Sequence, residues 1–547
     1  MRQFTILLIL LLTTFSQAQE NASVSGKLID KEYNNEPLPF ANVLIKGTTT
    51  GVTSDIDGLY KIENLSPGTY TFQYSFVGYE TIEKQVEVVA GQDTKLDIIM
   101  FASAAALDEV VIKTTAKRET ETALLLDQKK ATTIKQSIGA QELSRKGISD
   151  AAGAVTKISG ISKQEGGGNV YVRGLGDRYL NTTYNGLTLP SNDIEKKNMD
   201  LNLFSSDIIQ NVGVSKTYAA NFYGDFAAGN VDVVAKEHTG DFFLDVNLGS
   251  NFNSNAIGKN FVKSEGTGYF GFYNRYRNNP YAVILSHGVD PQSIDGSLGV
   301  EGSITGGKSW EVGEESRLSL FTTAAFGSSF EYRRGQFANV TAAANTIFQD
   351  AEEFEFTRNT TAMANVVYRI NNDHKIKFNS LFINDATDEV GRFGIDGRGY
   401  NRNTIADNDD FGFFTQNVQF EQEMIFVNQI LGTSNLNEKL KLDYGLGYNK
   451  VLARQPDRKR IALERFENTL DNDPSTNAIF FRNVDFDNQR YFQNIEDSEF
   501  NARVNLSYEK SENLKFNFGY NGRTKQRTFD NQRYGYEIIN PLTEIAD

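Results

Sequence analysis

No cysteine occurs anywhere in the 547 residues. That removes disulfide frameworks, thiolate metal sites and cysteine nucleophiles together, and with them the lipidated cysteine of a bacterial lipoprotein. Histidine is nearly missing as well: His238, His287 and His374 are the only three, and three positions after them stand Asp241, Asp290 and Lys377. An HxxE zinc pair therefore cannot be built, an HExxH helix is equally absent, and the plain reading of each histidine is a loop or sheet residue. No candidate catalytic, cofactor-binding or metal-binding residue is left, so the expectation is a protein that is not an enzyme and needs no cofactor. Positive charge is short too. The formal net charge is −15, and phosphate contacts need a basic face, which excludes nucleic acid as a partner. Finally, no stretch reaches the roughly 20 apolar residues of a helical membrane span.

What the chain does have is glycine (46), phenylalanine (39) and tyrosine (24), against 9 prolines and 1 tryptophan. A glycine-plus-aromatic bias recurs in repeated hairpins and barrels, so the expected class is mainly β. Residues 1–18 are an address: Arg2 is the positive end, Ile6 to Leu12 is an apolar run, and Ser16-Gln17-Ala18 places small residues at a cleavage point before Gln19.

From 19 to 101, short strands are punctuated by Gly47, Gly51, Asp57-Gly58, Pro67-Gly68 and Gly91, the spacing of a small β-sandwich. The words Pro37-Leu38-Pro39-Phe40-Ala41-Asn42-Val43, Thr53-Ser54-Asp55-Ile56-Asp57-Gly58-Leu59-Tyr60, Leu65-Ser66-Pro67-Gly68-Thr69-Tyr70 and Val77-Gly78-Tyr79 resemble the carboxypeptidase regulatory-like domain. The resemblance implies a Greek-key β-sandwich and no peptidase, since the histidine ligands are missing.

A linker, 102–132, follows. It holds the strand-like hexamer Leu107-Asp108-Glu109-Val110-Val111-Ile112 between small-residue and polar flanks. A lone strand of this kind can pair with another protein's sheet edge through main-chain hydrogen bonds, or it can be the last strand of the preceding sandwich. From 133 to 240 the words become more specific. Ser137-Ile138-Gly139-Ala140-Gln141-Glu142-Leu143 and Ser149-Asp150-Ala151-Ala152-Gly153-Ala154-Val155 are expected as two short helices. Val170-Tyr171-Val172-Arg173-Gly174-Leu175-Gly176-Asp177-Arg178-Tyr179, Tyr184-Asn185-Gly186-Leu187-Thr188-Leu189-Pro190 and Tyr223-Gly224-Asp225-Phe226-Ala227-Ala228-Gly229-Asn230 follow in order. This series resembles the plug domain of TonB-dependent outer-membrane receptors, and beside it the hexamer resembles the TonB box.

The physical reading agrees. Asn185-Gly186 is a tight-turn signal, and the glycines around Arg173 permit conformations that other residues resist, so a compact four-stranded plug is expected. Gly174-Leu175-Gly176 is not a dinucleotide loop, because Tyr179 stands where its third glycine belongs. The resemblance has Arg173 facing a barrel wall and pairing with carboxylates there; an arginine tethering the plug's own turn is the alternative.

From 241 to 547, segments of about 10 residues alternate apolar with polar, as in Leu440-Leu442-Tyr444-Leu446-Tyr448 and Ala502-Val504-Leu506-Tyr508, the pattern of outer-membrane strands. Roughly nine or ten are legible, against about 22 in a plugged barrel. The expected fold is thus mainly β: a sandwich, a mixed α/β plug, then the first part of a large antiparallel transmembrane β-barrel, in a chain read as a fragment of a longer receptor.

The resemblance implies energised uptake of a scarce nutrient, an iron chelate or similar, across the outer membrane, with the sandwich and the TonB box in the periplasm. The implied partners are TonB with its inner-membrane energising complex, outer-membrane lipid, an extracellular ligand and, in one branch, a surface lipoprotein. A glycan importer of the starch-utilisation type is the rival within the family, and Lys113-Thr114-Thr115 departs from its usual wording. A non-transporting surface β-protein is the rival outside it. Tyr400, Arg402, Phe411, Phe413 and Phe414 are expected in loops and suit many ligands equally.

Overall fold

The computed structural model describes residues 22–31, 36–48, 50–76, 79–101, 121–131, 133–164, 168–191, 196–274, 287–294, 297–340, 345–401, 412–471, 473, 478–480, 488–511 and 514–536. The hexamer 107–112 lies outside them. The chain divides into two compact units, Met1–Lys130 and Ala131–Asp547.

In the first unit, Ala22–Asp30 is the centre of one sheet, paired antiparallel with Leu59–Leu65 and Glu36–Pro37 and parallel with Asp93–Lys95 and Ile98–Met100. The second sheet runs Gly51–Thr53, Asn42–Ile45, Gly68–Ser75, Ile82–Val88. Alternation places Val24, Leu28, Val43, Ile62 and Phe72 inward, in one apolar core. Two tyrosines cross that core. The Tyr60 hydroxyl donates to the Leu96 carbonyl at 2.8 Å, so the Tyr74 hydroxyl, 2.8 Å away, donates to Tyr60. Burial pushes the Tyr60 hydroxyl up to about 12, and it raises Tyr74 further. Within the expected linker, Glu121–Lys130 is an α-helix.

Among its described residues the second unit holds two larger sheets and two two-stranded ribbons, one of them Phe261–Lys263 with Gln292–Ile294. The smaller sheet has the order Lys135–Gly139, Ile209–Ser215, Gly229–Ala235, Leu180–Tyr184, Leu187–Thr188, with a separate ribbon of Ile161–Lys163 and Val170–Val172. This is one strand more than the four expected, plus the ribbon. The helices are Ala140–Arg145 and Ala151–Val155, so Ser137-Ile138-Gly139, expected as helix, is strand instead and pairs with Gly213, Val212 and Asn211. The reason is tertiary: Ile138 is buried in the apolar core and a sheet neighbour accepts its backbone bonds, which outweighs a weak local helix preference. Asp150 caps the second helix, accepting from the Gly153 amide at 2.7 Å.

The larger sheet is an antiparallel meander in the order Phe243–Phe252, Leu298–Glu311, Arg317–Val340, Asn345–Arg369, His374–Phe393, Phe413–Asn437, Leu440–Glu464, Gln489–Ser511, Leu514–Gly535, with two short strands off this path. Several of these strands are 25 residues long, more than twice the segments legible as alternation. The apolar-polar pattern marks only one end of each strand, and the pairing continues beyond it. At one end of the sheet the strands are joined only by short connections, between Glu311 and Arg317, Arg369 and His374, Asn437 and Leu440, and Ser511 and Leu514; at the other, Val340 and Asn345 are joined by a short one, and Phe252 and Leu298, Phe393 and Phe413, and Glu464 and Gln489 by long ones. Phe413 and Phe414, expected in a loop, begin a strand and are buried against Phe348 and Phe466.

The two faces of this sheet are inverted relative to a soluble protein. On one, Leu248 (87% exposed), Phe426, Ile430, Leu446, Tyr448, Val504, Phe518 and Tyr520 (68% exposed) look outward. On the other, Asn365, Asn379, Gln429, Asn449, Glu499 and Asn501 are buried. The register puts outward residues beside outward residues, as in Ile430↔Leu446 and Phe518↔Leu506. Among the described residues no helix is long and apolar enough to cross a membrane.

Candidate functional site

The buried polar face of the large sheet is where the smaller sheet sits. An apolar seam joins them: Val212, Val214, Val231 and Val233 share one core with Phe321, Met363, Leu381, Ile425 and Val451. Around the seam the contact is made of hydrogen bonds, directed at backbone carbonyls and at side chains alike.

The Asn185-Gly186 turn is the centre of this contact. Both residues have positive φ (52° and 77°), as a two-residue hairpin turn between Leu180–Tyr184 and Leu187–Thr188 requires. The Asn185 side chain donates to Gln429 Oε1 at 2.9 Å, while its carbonyl oxygen accepts from the Ala235 amide at 3.0 Å and from Lys377 Nζ at 3.3 Å. Gly186 donates its amide to Asp232 at 2.7 Å, and its carbonyl accepts from Arg503 at 3.1 Å. On either side of the turn, Gln429 donates to the Tyr184 carbonyl at 2.9 Å, and Asn449 and Asn501 both donate to the Thr188 carbonyl at 2.9 Å. Thr188 in turn donates to Glu499 at 2.7 Å. Burial pushes the Tyr184 hydroxyl far up, so it stays a neutral donor, aimed at the Met363 sulfur.

Further charged contacts surround this turn. Arg523 reaches Asp225 at 2.6 Å, and Arg527 spans the Asp497 carboxylate (2.8 Å) and the Ser191 carbonyl (2.6 Å). Lys377 lies 3.2 Å from Glu237, where the chain passes from the smaller sheet into the larger one at its short-turn end. Burial pushes the Lys197 ammonium down, against Asp225 3.4 Å away.

The remaining expected site residues are placed as follows. Arg173 (φ 53°) and Gly174 (φ 80°) form a left-handed turn closed by the Val172 and Leu175 backbones, and the Arg173 side chain is exposed. Among the described residues no carboxylate lies within ion-pair distance of Arg173. Gly229 opens a strand where a Cβ would meet the Ser215 carbonyl at 2.9 Å; around Gly224 there is open space. Sequence reasoning missed Gln429, Asn449, Glu499, Asn501 and Arg503 because polar residues in an alternating strand carry no mark that separates a plug seat from a water-facing position. Among the described residues no three acidic or histidine side chains are grouped to hold a metal.

Family models match the chain twice: the CarboxypepD_reg-like domain at residues 24–112 and the TonB-dependent Receptor Plug Domain at residues 127–231. The chain carries a TonB-dependent receptor plug domain. The Asn185-Gly186 turn is therefore the plug's, and the buried polar face is the wall on which the plug rests. The first match extends through Ile112 and so includes the hexamer.

Among curated relatives, TonB-dependent receptor P39 of Formosa agariphila is 30% identical over 31% of this chain and 16% of its own length. TonB-dependent receptor SusC of Bacteroides thetaiotaomicron is 26% identical over 42% of this chain and 23% of its own. The chain thus spans less than a quarter of either relative in the matched region. The solved ferric citrate transporter FecA in its unliganded form aligns at 11% identity and a TM-score of 0.34, covering 75% of this chain and 60% of that one.

Proposed function

We propose that the chain is part of a transporter that takes a scarce nutrient, an iron chelate or similar, across the outer membrane, with the plug gating the lumen and TonB supplying the pull. The observation that carries this is the inversion of the large sheet: an exposed apolar face outside and a buried polar face against the plug. That is the arrangement of a sheet with lipid on one side and a plugged, watered lumen on the other. The end that carries only short connections, where the chain also leaves the plug at Glu237, is then the periplasmic side, and the end that carries the three long connections is the outer side.

The seating suits a plug that must move. Around its apolar seam, amide and guanidinium groups of the large sheet donate to backbone carbonyls of the plug, and water can take the place of each of these donors. The hexamer 107–112 is the segment we assign to TonB, because an extended strand can be gripped through its backbone by a partner common to many receptors. Replacing Val110 or Val111 with proline removes a ladder donor. The expected result is loss of energised uptake with ligand binding at the cell surface retained. Uptake that survives both replacements overturns the TonB assignment and favours the hexamer as a sandwich strand.

A further inference from the structure

The outer wall of the large sheet changes character toward the long-connection end. Below, large apolar side chains on its outward face are exposed; above, the same register brings Arg358, Asn384, Asp388 and Gln422 to the outward face among the buried rings of Phe330, Phe356 and Phe420. All four are buried, and Arg358 is 0% exposed. What covers them is part of the first long connection, residues 261–274, which folds back over the outside of the wall.

The wall holds this segment by its backbone. Arg358 pairs with Asp388 and donates to the Gly268 carbonyl at 3.0 Å; the Ser264 amide donates to Asp388 at 3.1 Å and its hydroxyl to the Gln419 carbonyl at 3.1 Å. Asn384 donates to the Phe270 carbonyl at 3.4 Å and is itself held by Gln422 at 2.7 Å. Phe261 anchors the start of the segment, edge-on to Phe330 and Phe354. At its tip Gly271 (φ 78°) lies flat on the wall, where a Cβ would meet Ala386 Cβ at 2.6 Å.

The segment's other surface is aromatic. Tyr269, Phe270 and Phe272 are 52%, 59% and 45% exposed. Tyr269 and Phe270 also touch Phe326, at ring separations of 5.8 and 5.2 Å. Phe326 shares a register row with Leu248 across Gly302, so it stands in the exposed apolar face. The exposed aromatics are thus continuous with that face and prolong it over a stretch of wall that includes the buried Arg358, Asn384, Asp388 and Gln422.

We propose that residues 266–274 form a collar that lies in the headgroup–acyl boundary of the membrane, with Tyr269, Phe270 and Phe272 in contact with lipid. Aromatic rings favour that boundary because one part of it is apolar and the other wet. The buried Arg358–Asp388 pair sets where the collar docks, and the collar keeps lipid from the pair. This rests on the lipid-facing reading of the outer wall made above.

Single tryptophan reporters are placed in the full receptor after every native tryptophan, Trp310 among them, has been replaced by phenylalanine, and the protein is reconstituted in vesicles of brominated phosphatidylcholine. Phe270→Trp should be quenched roughly twofold more strongly by bromine near the headgroup than by bromine near the chain ends, and Ile430→Trp, in the apolar face, the reverse. Adding Gly271→Ala to Phe270→Trp should abolish that preference, because the turn can no longer lie on Ala386, and should leave Ile430→Trp unchanged. Quenching at Ile430→Trp with none at Phe270→Trp overturns the collar and leaves the lipid-facing wall standing. Quenching at neither overturns both.

Discussion

At the scale of single residues, two positions decide more than their neighbours. The Tyr60–Tyr74 pair is favoured in its neutral form by folding, because burial raises both hydroxyls. A group raised on folding contributes stability that is complete below its unfolded value of about 10 and is lost as pH climbs through the folded one. For Tyr60 that window is about 10 to about 12. The sandwich should therefore lose thermal stability across this range, and Tyr74→Phe, lacking one of the two hydroxyls, should show a shallower fall in melts followed by circular dichroism. Gly186 is the second position. A Cβ there would meet Arg503 NH1 at 2.1 Å, but a guanidinium can swing away, so the backbone decides: φ is 77°. Alanine at 186 should cost about 1–2 kcal/mol in the plug. It should also release Arg503 from the Gly186 carbonyl, readable as a lower unfolding midpoint for the plug and large sheet with the sandwich unchanged.

At the scale of elements, the long strands are amphipathic in a sense opposite to that of a soluble protein. Phe426 and Gln429 stand three residues apart on one strand, the first outward and the second at the plug. On a water-facing sheet Phe426→Arg would be close to neutral, since Phe426 is 36% exposed. On a lipid-facing one it should destabilise the folded state by about 2–4 kcal/mol near the membrane midplane. Unfolding by urea in lipid vesicles separates the two, and a neutral result would count against the outer-membrane reading. The strands also show why apolar alternation understates length: above the apolar face the outward positions become polar or are covered by residues 261–274, so the period disappears while the hydrogen bonding continues.

At the scale of the molecule, the plug is held by contacts that reach across more than two hundred residues of chain. Asn449 and Asn501 both donate to the Thr188 carbonyl. Removing both as Asn449→Ala with Asn501→Ala leaves a buried acceptor without these donors, which should cost about 1–3 kcal/mol. Amide hydrogen exchange at Leu187–Thr188 should quicken accordingly, with exchange in the sandwich unchanged because it is a separate compact unit. Exchange at the hairpin that does not change would mean that the apolar seam alone holds the plug.

Much of this protein was legible before any coordinate. The sandwich strands around Asp57-Gly58 and Pro67-Gly68, the left-handed turn at Asn185-Gly186 and the period-two strands all follow from local chemistry, because turn residues and side-chain alternation act over a few positions. Other features were decided only in three dimensions. Ser137-Ile138-Gly139 became a strand because Asn211–Gly213 lay alongside. Gln429, Asn449, Asn501 and Arg503 became the plug's seat because the register turned them toward one hairpin, and residues 266–274 became a collar because Arg358 and Asp388, far along the chain, offered them a place to dock. A residue's conformation depends on its neighbours in sequence, but its partner depends on how the whole chain closes, and the functional surface of this protein is made of partners.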